Sequence, residues 1–463
     1  MANENGSAKR ESWSGKWTFI LAAAGSAVGL GNMWRFPYLA AKYGGGTFLI
    51  IYLILVFTLG VSLLLQDIAI GHASKLSPIR AFEKLSGKKG WNVVGFLASA
   101  VPFIILPYYS IIGGWVVKYA VAYITSGPAA LADGGDYFVG FMTSNVESYV
   151  FMLIFAVMVL GVVALGVKGG IEKINMVLMP ALIVMAIGIA IFTLTIPGAL
   201  DGVLYYVTPD FSKLSAELIL AAIGQVFFSM SIAMSIMVTY GSYVEKGESL
   251  TTATTRIAGF DVLVSLLAGL MIIPGAYAAL GSAEAVAAKS GPSLMFITLP
   301  QVFENMGAAA TIVGFIFFLL ALFAAFTSAS SIAEACVSIV SDARGYSRKK
   351  STAIVAIWCI AVGIFVNAGY NVLIGVEPLG PGTQILDLFD FISNSVLMPI
   401  VAIGTCVFVG WVIKPQKLID SIREAAPFKL AGAWSFIVKY LGPILIALVL
   451  IAFVAAQFGL VSL

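Results

Sequence analysis

The stretch Gly25–Pro37 reads GSAVGLGNMWRFP and lies inside the first membrane-length apolar segment of the chain. Three glycines fall within seven residues, at positions 25, 29 and 31, and each weakens a helix by roughly 1 kcal/mol relative to alanine. Asn32 and Arg35 follow where a lipid-facing helix would carry leucine or valine. Unwound backbone at membrane depth is tolerated only where it is buried in protein or lines a water-filled cavity. The stretch therefore predicts a broken helix at a binding site.

The composition indicates a polytopic membrane protein. Of the 463 residues, 60% are hydrophobic and only 11% are charged, and the mean hydropathy is +1.00, whereas a soluble domain carries roughly 25% charged residues. Eleven apolar runs approach or exceed the ~20 residues that a bilayer demands. These predicted spans are 14–40, 45–72, 92–125, 148–167, 172–195, 215–243, 252–281, 307–341, 351–375, 384–413 and 434–461.

The basic residues predict the orientation of the chain. With the N-terminus inside, 20 of the 26 lysines and arginines fall in cytoplasmic segments or at the cytoplasmic ends of spans, as the positive-inside rule requires. An odd number of spans then places the C-terminus outside. The net charge of +3 reflects these cytoplasmic flanks, so it does not indicate a nucleic-acid partner.

The chain lacks the residues that common enzymes need. His72 is the single histidine, which excludes a Ser-His-Asp set inside the spans, and the sequence has no Gly-Lys-Ser/Thr phosphate loop of an ATP-driven pump. A channel would favour a continuous polar pore, whereas polar residues here cluster at mid-span. The prediction is that the protein is not an enzyme; a receptor or sensor stays open as an alternative.

Several motifs resemble the signature of the neurotransmitter:sodium symporter family over almost the whole chain. The first is Gly25–Pro37 itself, with Trp13 before it and Gly44-Gly45-Gly46 after it. The other matching motifs are Tyr108-Tyr109 with Trp115, the run Gly224–Ser229, the pair Thr327-Ser328, and Asp387 with Asp390.

The resemblance implies the bacterial leucine-transporter fold. Such a protein is all-α and polytopic, with about 11 transmembrane helices in a 5+5 inverted repeat whose helices 1 and 6 are discontinuous. The chain would form a single transporter domain over 1–463. Its first repeat would cover about 14–195, its second about 215–413, and an additional helix about 434–461.

The residues of the sixth span do not themselves predict a break. The segment Ser229–Ser235 contains neither glycine nor proline. Its three serines have two interpretations: they satisfy freed backbone groups or a ligand, or they bond back to their own helix.

The resemblance implies two sodium sites, built from the oxygen ligands that hard cations prefer. The first ion would be held by the Ala27 carbonyl, the Asn32 side chain, Ser229, Asp261 and the substrate carboxylate. The second would be held by the carbonyls of Gly25, Val28 and Ala324 and the hydroxyls of Thr327 and Ser328.

The resemblance also implies an amino-acid site without a fixed charge in its side-chain pocket. A neutral, hydrophobic L-amino acid is therefore expected, with flexible Met234 making room for a large or aromatic side chain. The methyl group of Ala233 reduces that room, so glycine or alanine stays an alternative. The implied substrate residues are Ser26, Ala27, Gly29, Gly31, Ile105, Tyr109, Phe228, Ser229, Ser231, Ile232, Ala233, Met234, Ser328 and Ile332.

Asp261 departs from the family pattern. Its position is usually asparagine, while the position of Ser265 is glutamate in many chloride-independent bacterial members. Concentrating two sodium ions in a low-dielectric site without an anion is costly, so Asp261 is expected to supply the negative charge in place of chloride. An alternative is a structural pair with Arg256. The anion pocket of chloride-dependent relatives resembles Tyr52, Gln225, Ser229 and Ser265 here.

Two charge pairs are expected to act as gates. Arg35 with Asp390 would close the outer side, with Tyr109 and Phe228 as an aromatic lid. A second pair, Arg10 with Asp342, would close the cytoplasmic side with the help of Trp13 and Tyr243. By analogy the protein resides in the plasma membrane of a bacterium, in contact with lipid; the sequence does not give its oligomeric state.

Overall fold

The computed structural model describes residues 11–282, 287 and 291–460, and within these ranges the fold is all-α. Nine helices of this part are long and apolar enough to cross a membrane. They are Gly46–Ser74, Lys89–Thr125, Glu147–Ala164, Val167–Thr193, Leu250–Leu280, Gly307–Arg344, Arg348–Tyr370, Ile385–Val412 and Ala431–Gln457. Shorter helices between them include Pro78–Ser86, Asp136–Thr143, Ala199–Val207, Leu299–Glu304 and Pro415–Arg423.

The first and sixth predicted spans complete the set of eleven, and each is broken into two helices. The first consists of Lys16–Ala27, then one turn of π-helix over Gly31–Arg35 that leads into Phe36–Lys42. The sixth consists of Ala216–Ser229 and Ile236–Ser242. Single-turn π-helices are frequent at functional sites, and both breaks fall near the middle of their spans.

The break in the first span is the one that the glycines predict, and it is confirmed. Val28 leaves the helix with an extended backbone (φ −78°, ψ 93°) directly after Ala27. The break in the sixth span was not predicted from the residues. Here Ser231, Ala233 and Ser235 adopt left-handed backbone conformations, with φ of 53°, 62° and 67°, which side chains other than glycine rarely adopt.

Contacts with other spans hold this unfavourable backbone in place. The carboxylate of Asp67 accepts the Ala233 N–H at 3.0 Å, and Ser235 Oγ donates to the Ala98 carbonyl at 2.6 Å. Ser231 Oγ donates to the Ser26 carbonyl at 3.1 Å. Local strain of about 1–3 kcal/mol per residue persists only where surrounding structure over-determines it, and these bonds supply that constraint.

The spans divide into an inner scaffold and a lipid-facing shell. In the third span, 72% of the most apolar 18-residue stretch is buried inside the protein, compared with 22% of the corresponding stretch in the eleventh span. The exposed surface of the outer spans carries large apolar side chains, which a bilayer would cover. Examples are Val157, Val184, Ile191, Ile357, Phe365, Leu448 and Ile451.

Candidate functional site

A cavity of about 550 Å³ lies where the two helix breaks meet the third, eighth and tenth spans. Twelve of the fourteen predicted substrate residues line it. They are Ser26, Ala27, Gly29, Gly31, Ile105, Tyr109, Phe228, Ser229, Ser231, Met234, Ser328 and Ile332. The other two, Ile232 and Ala233, are buried beside the cavity without lining it.

Asp261 lies at the centre of a buried polar cluster. Its Oδ1 accepts the Asn32 amide at 2.8 Å, and its Oδ2 accepts the hydroxyls of Tyr52 at 2.9 Å and Ser229 at 3.1 Å. Asn32 Nδ2 also donates to Ser265 Oγ at 2.8 Å. The carboxylate thus receives donors from three different spans, an arrangement that suits a charged acceptor. Asn32, Ser229 and Asp261, predicted for the first sodium ion, come together here.

The break in the first span exposes two of the predicted carbonyl ligands. In a continuous helix Gly29 N–H would bond to the Gly25 carbonyl, and Asn32 N–H to the Val28 carbonyl. Instead Gly29 N–H donates to Asn32 Oδ1 at 3.0 Å, and Asn32 N–H donates to the Gly29 carbonyl at 3.1 Å. Gly25 and Val28 therefore lose the amide donors that a helix provides, and their carbonyl oxygens are left for another partner.

The hydroxyls predicted for the second sodium ion lie on the eighth span. Thr327 Oγ1 donates to the carbonyls of Phe323 at 2.9 Å and Ala324 at 3.2 Å. Ser328 Oγ donates to the Ser26 carbonyl across the break at 3.2 Å. Each hydroxyl oxygen keeps lone pairs for a cation. This second set consists of neutral oxygens only.

The remaining members of the expected charge pocket lie beside Asp261. Tyr52 and Ser265 are 3.3 Å apart through their hydroxyls, and Gln225 Nε2 donates to the Gly31 carbonyl at 3.4 Å. The proposed structural partner of Asp261 lies elsewhere: exposed Arg256 packs over the ring of Trp17 at 4.7 Å. No ion pair between Arg256 and Asp261 occurs in the described part of the chain.

The predicted outer gate residues, Arg35 and Asp390, both line the cavity and do not form an ion pair. Arg35 lies over the Phe228 ring, with its guanidinium carbon 5.5 Å from the ring centroid. Asp390 Oδ1 accepts hydrogen bonds from Tyr108 at 3.2 Å and Asn394 at 2.6 Å. Across residues 11–282 and 291–460 no ion pair joins Arg35 to Asp390. The gate hypothesis stays a prediction.

Contacts between several helices join the end of the bundle beside Trp13. Trp13 is buried, and its indole donates to the Tyr240 carbonyl at 3.0 Å. Tyr243 donates its hydroxyl to Glu334 Oε1 at 2.8 Å. Glu334 in turn forms an ion pair with Arg348. Trp13 and Tyr243, both predicted for the inner gate, therefore lie in one network.

The other half of the predicted inner gate is described only in part. Asp342 Oδ2 accepts the Ser77 N–H at 2.7 Å. Arg10, its expected partner, lies outside the described residues.

Sequence reasoning missed several buried charged residues that support the site. Asp67 holds the broken sixth span, and Glu334 with Arg348 anchors Tyr243. An acidic residue inside an apolar span is itself a signal of function, so Asp67 and Glu334 could have been found. The contacts of Asp67 with Ala233 and of Glu334 with Tyr243 could not, since 166 and 91 residues separate these partners in the sequence.

A bundle of membrane-spanning helices, two of them broken beside a buried cluster of polar side chains, is typical of a membrane transporter rather than an enzyme. The sodium:neurotransmitter symporter family model matches residues 10–130 and 142–460. The chain therefore belongs to this family, whose members are sodium-dependent transporters.

Relatives from distant organisms support the assignment. An uncharacterized sodium-dependent transporter of Bacillus subtilis is 34% identical, over 94% of this chain and 96% of its own length. An uncharacterized sodium-dependent transporter of Methanocaldococcus jannaschii is also 34% identical, over 95% of this chain and 90% of its own length. The crystal structure of MhsT in complex with L-phenylalanine matches with a TM-score of 0.86 and 35% identity, covering 96% of this chain and 100% of that chain. The predicted family and fold are confirmed.

Proposed function

We propose that this protein couples the entry of a neutral, hydrophobic L-amino acid to two sodium ions, and that its site accepts aromatic side chains. The observation that carries the proposal is the Asp261 cluster, which lies directly beside a mostly apolar cavity at the two helix breaks. Asn32 joins the two, because its side chain reaches Asp261 while the residue itself lines the cavity. A sodium ion bound at the cluster would then lie next to a substrate carboxylate bound in the cavity.

The cavity wall supports an apolar side-chain subsite. Ile105, Phe228, Met234 and Ile332 line it, and none of the predicted substrate residues carries a charge. Ala233 is not among the residues that line the cavity, so its methyl group gives little support to a small substrate. This weakens the argument for glycine or alanine. The similar structure of MhsT holds L-phenylalanine, which agrees with an aromatic substrate.

The substrate carboxylate has a suitable partner next to the first helix break. The Tyr109 hydroxyl accepts the Leu30 N–H at 3.4 Å, which leaves the hydroxyl hydrogen for an acceptor in the cavity. The helix that resumes at Gly31 directs its N-terminal amides toward the same region. A carboxylate bound there would also ligate the first sodium ion. Binding of the sodium ion would then raise the affinity for the substrate, and binding of the substrate would raise the affinity for sodium by the same factor. This reciprocity is the basis of coupling.

Asp261 is proposed to supply the negative charge that chloride provides elsewhere. Two sodium ions in a buried site need a compensating anion, and Asp261 is fully buried within the ligand set. The human creatine transporter, named as sodium- and chloride-dependent, is 26% identical over 92% of this chain and 75% of its own length. Transport by the present protein is expected to proceed without chloride.

Alternating access is proposed to use the two gate regions. The contacts of Trp13 and Tyr243 support a closed cytoplasmic side, and the lack of an ion pair between Arg35 and Asp390 in the described residues supports an open outer side. Pairing of Arg35 with Asp390 above a bound substrate would close the outer path. The protein would act in a bacterial plasma membrane, with the N-terminus in the cytoplasm and the C-terminus outside.

Uptake of radiolabelled L-phenylalanine into proteoliposomes tests the proposal. Concentrative uptake is expected with an inward sodium gradient and not with potassium, and equally in chloride and in gluconate. Competition by unlabelled leucine and tryptophan, but not by aspartate, glutamate or lysine, is expected. Preference for glycine or alanine would contradict the hydrophobic substrate, and sodium-dependent binding without concentrative uptake would indicate a sensor.

A further inference from the structure

Asn175 carries a buried oxygen that no other group in the described part of the chain satisfies. The residue lies in the fifth span and is 1% exposed. Its Nδ2 donates to the Ile171 carbonyl at 2.8 Å, whereas its Oδ1 has no hydrogen-bond partner among the described residues. A buried polar atom without a partner is costly, so a missing partner is expected at this position.

The unpartnered oxygen points at the break of the first span. A Cβ atom placed on Gly25 would lie 2.1 Å from Asn175 Oδ1 and 3.1 Å from the Cβ of Thr327. Gly25 therefore has to be glycine for the fifth and eighth spans to approach it together. Asn175 Oδ1 and the Thr327 side chain consequently flank the same backbone position, and Gly25 and Thr327 are both proposed ligands of the second sodium ion.

The orientation of the amide is fixed by its other contact. The Ile171 carbonyl can only accept, so it selects Nδ2 as its partner. The oxygen must then face Gly25. Reversing the amide would direct its hydrogens toward the ion site, which would repel a cation, and would bring two oxygens together at Ile171.

The proposed second ligand set has room for a further oxygen. It consists of neutral groups from the first and eighth spans only, and the fifth span contributes none. We propose that Asn175 is a further residue of the second sodium site, where its Oδ1 stabilises the ion directly or through one water molecule. The inference rests on the second sodium site of the proposed function, and it makes the fifth span part of sodium recognition.

Sodium titrations of substrate binding test this role. Binding of radiolabelled L-phenylalanine to purified protein is measured at increasing sodium concentration for the wild type and for Asn175→Leu, which has a similar volume but no oxygen. The sodium concentration for half-maximal binding is expected to rise about tenfold in Asn175→Leu, as for the loss of a contact to a charged group. Binding at saturating sodium should stay close to that of the wild type. A folded Asn175→Leu protein with wild-type sodium dependence would overturn the inference.

Asn367 provides a matched control for the loss of a buried asparagine. It is also fully buried, its Nδ2 donates to Ser148 Oγ at 2.9 Å, and its Oδ1 has no partner among the described residues. It lies in the ninth span, outside the ligand sets. Asn367→Leu should leave the sodium dependence unchanged; a shift as large as that of Asn175→Leu would overturn the specific role of Asn175.

Two further variants separate this inference from the proposed sodium site. Thr327→Ala removes a proposed ligand and is expected to raise the sodium requirement; if it has no effect, the second sodium site itself is wrong. If Asn175→Leu fails to fold, the sodium dependence of substrate binding is measured for Asn175→Asp instead. That variant keeps the oxygen and adds charge, so half-maximal binding should move to lower sodium concentration. An unchanged or higher requirement in Asn175→Asp would overturn the inference.

Discussion

Asn32 donates its side-chain amide to Asp261 at 2.8 Å, although 229 residues separate the two in the sequence. This bond connects the break of the first span to the seventh span. The same amide donates to Ser265 one turn further along. The site is therefore organised around a carboxylate whose neighbours are all hydrogen-bond donors.

The anion dependence of transport is expected to change when Asp261 is replaced. In Asp261→Asn, uptake without chloride should fall by more than about tenfold, because removing a buried compensating charge typically costs several kcal/mol. Chloride should restore much of the uptake, since Tyr52, Ser229 and Ser265 keep their hydroxyls beside position 261 and can donate to an anion. Uptake in chloride and gluconate measures the effect. Full activity of Asp261→Asn in gluconate would contradict the role assigned to Asp261.

A second-site change provides the control for this prediction. Ser265 Oγ already lies 2.8 Å from Asn32 Nδ2 and 3.3 Å from the Tyr52 hydroxyl. A glutamate introduced at this position would meet the same donors. Asp261→Asn combined with Ser265→Glu is therefore expected to regain chloride-independent uptake, which Asp261→Asn with Ser265→Ala should not.

Asp67 is expected to stabilise the break in the sixth span. Asp67→Ala leaves the Ala233 N–H without its acceptor and should lower the free energy of unfolding by about 1–3 kcal/mol. Asp67→Asn keeps a carbonyl oxygen, which can still accept the bond, and should have a smaller effect. Thermal unfolding of the purified protein, with and without substrate, measures both. Equal losses in the two variants would show that the bond to Ala233 does not carry the stability.

The Glu334–Arg348 pair is expected to be strongly coupled. Glu334 is fully buried, so Arg348→Met would strand its charge and should destabilise the protein by roughly 3–5 kcal/mol. Adding Glu334→Gln removes that charge and should recover part of the loss. A double-mutant cycle on thermal stability measures the coupling. Additive effects of the two changes would contradict it.

Gly31 is expected to be required for the position of Phe228. A Cβ atom on Gly31 would lie 2.5 Å from the Phe228 ring, so Gly31→Ala must displace the ring from the cavity wall. Substrate affinity is expected to fall by about tenfold or more, since overpacking typically costs 1–3 kcal/mol. Equilibrium binding of L-phenylalanine measures this effect.

The matched control is Gly161→Ala. Gly161 is exposed on the helix Glu147–Ala164, and a Cβ atom there would meet nothing within 4 Å. Binding should be unchanged and stability unchanged or slightly higher, because alanine favours a helix by up to about 1 kcal/mol over glycine. Similar affinities of Gly31→Ala and the wild type would show that Phe228 can move freely.

The two helix breaks differ in how far sequence predicts them. In the first span the glycines weaken the helix locally, so the break can be expected from Gly25, Gly29 and Gly31 alone. In the sixth span the unfavourable backbone of Ser231, Ala233 and Ser235 is held by other spans. The three serines of this segment each donate a hydrogen bond to another span: Ser229 to Asp261, Ser231 to Ser26 and Ser235 to Ala98.

The amino-acid sequence was sufficient to predict the membrane environment, the approximate positions of the spans, the first break and, through its motifs, the family. These features follow from local composition and spacing, because apolar length and helix propensity act on neighbouring residues. The packing of the helices was needed to reveal the second break, the donors around Asp261, the ion pair of Glu334 and the unpartnered oxygen of Asn175. Each of these depends on which groups meet in a low-dielectric interior, where a buried polar atom needs a partner. The partners lie between 14 and 229 residues apart in the sequence, and only the packing of the helices brings them together.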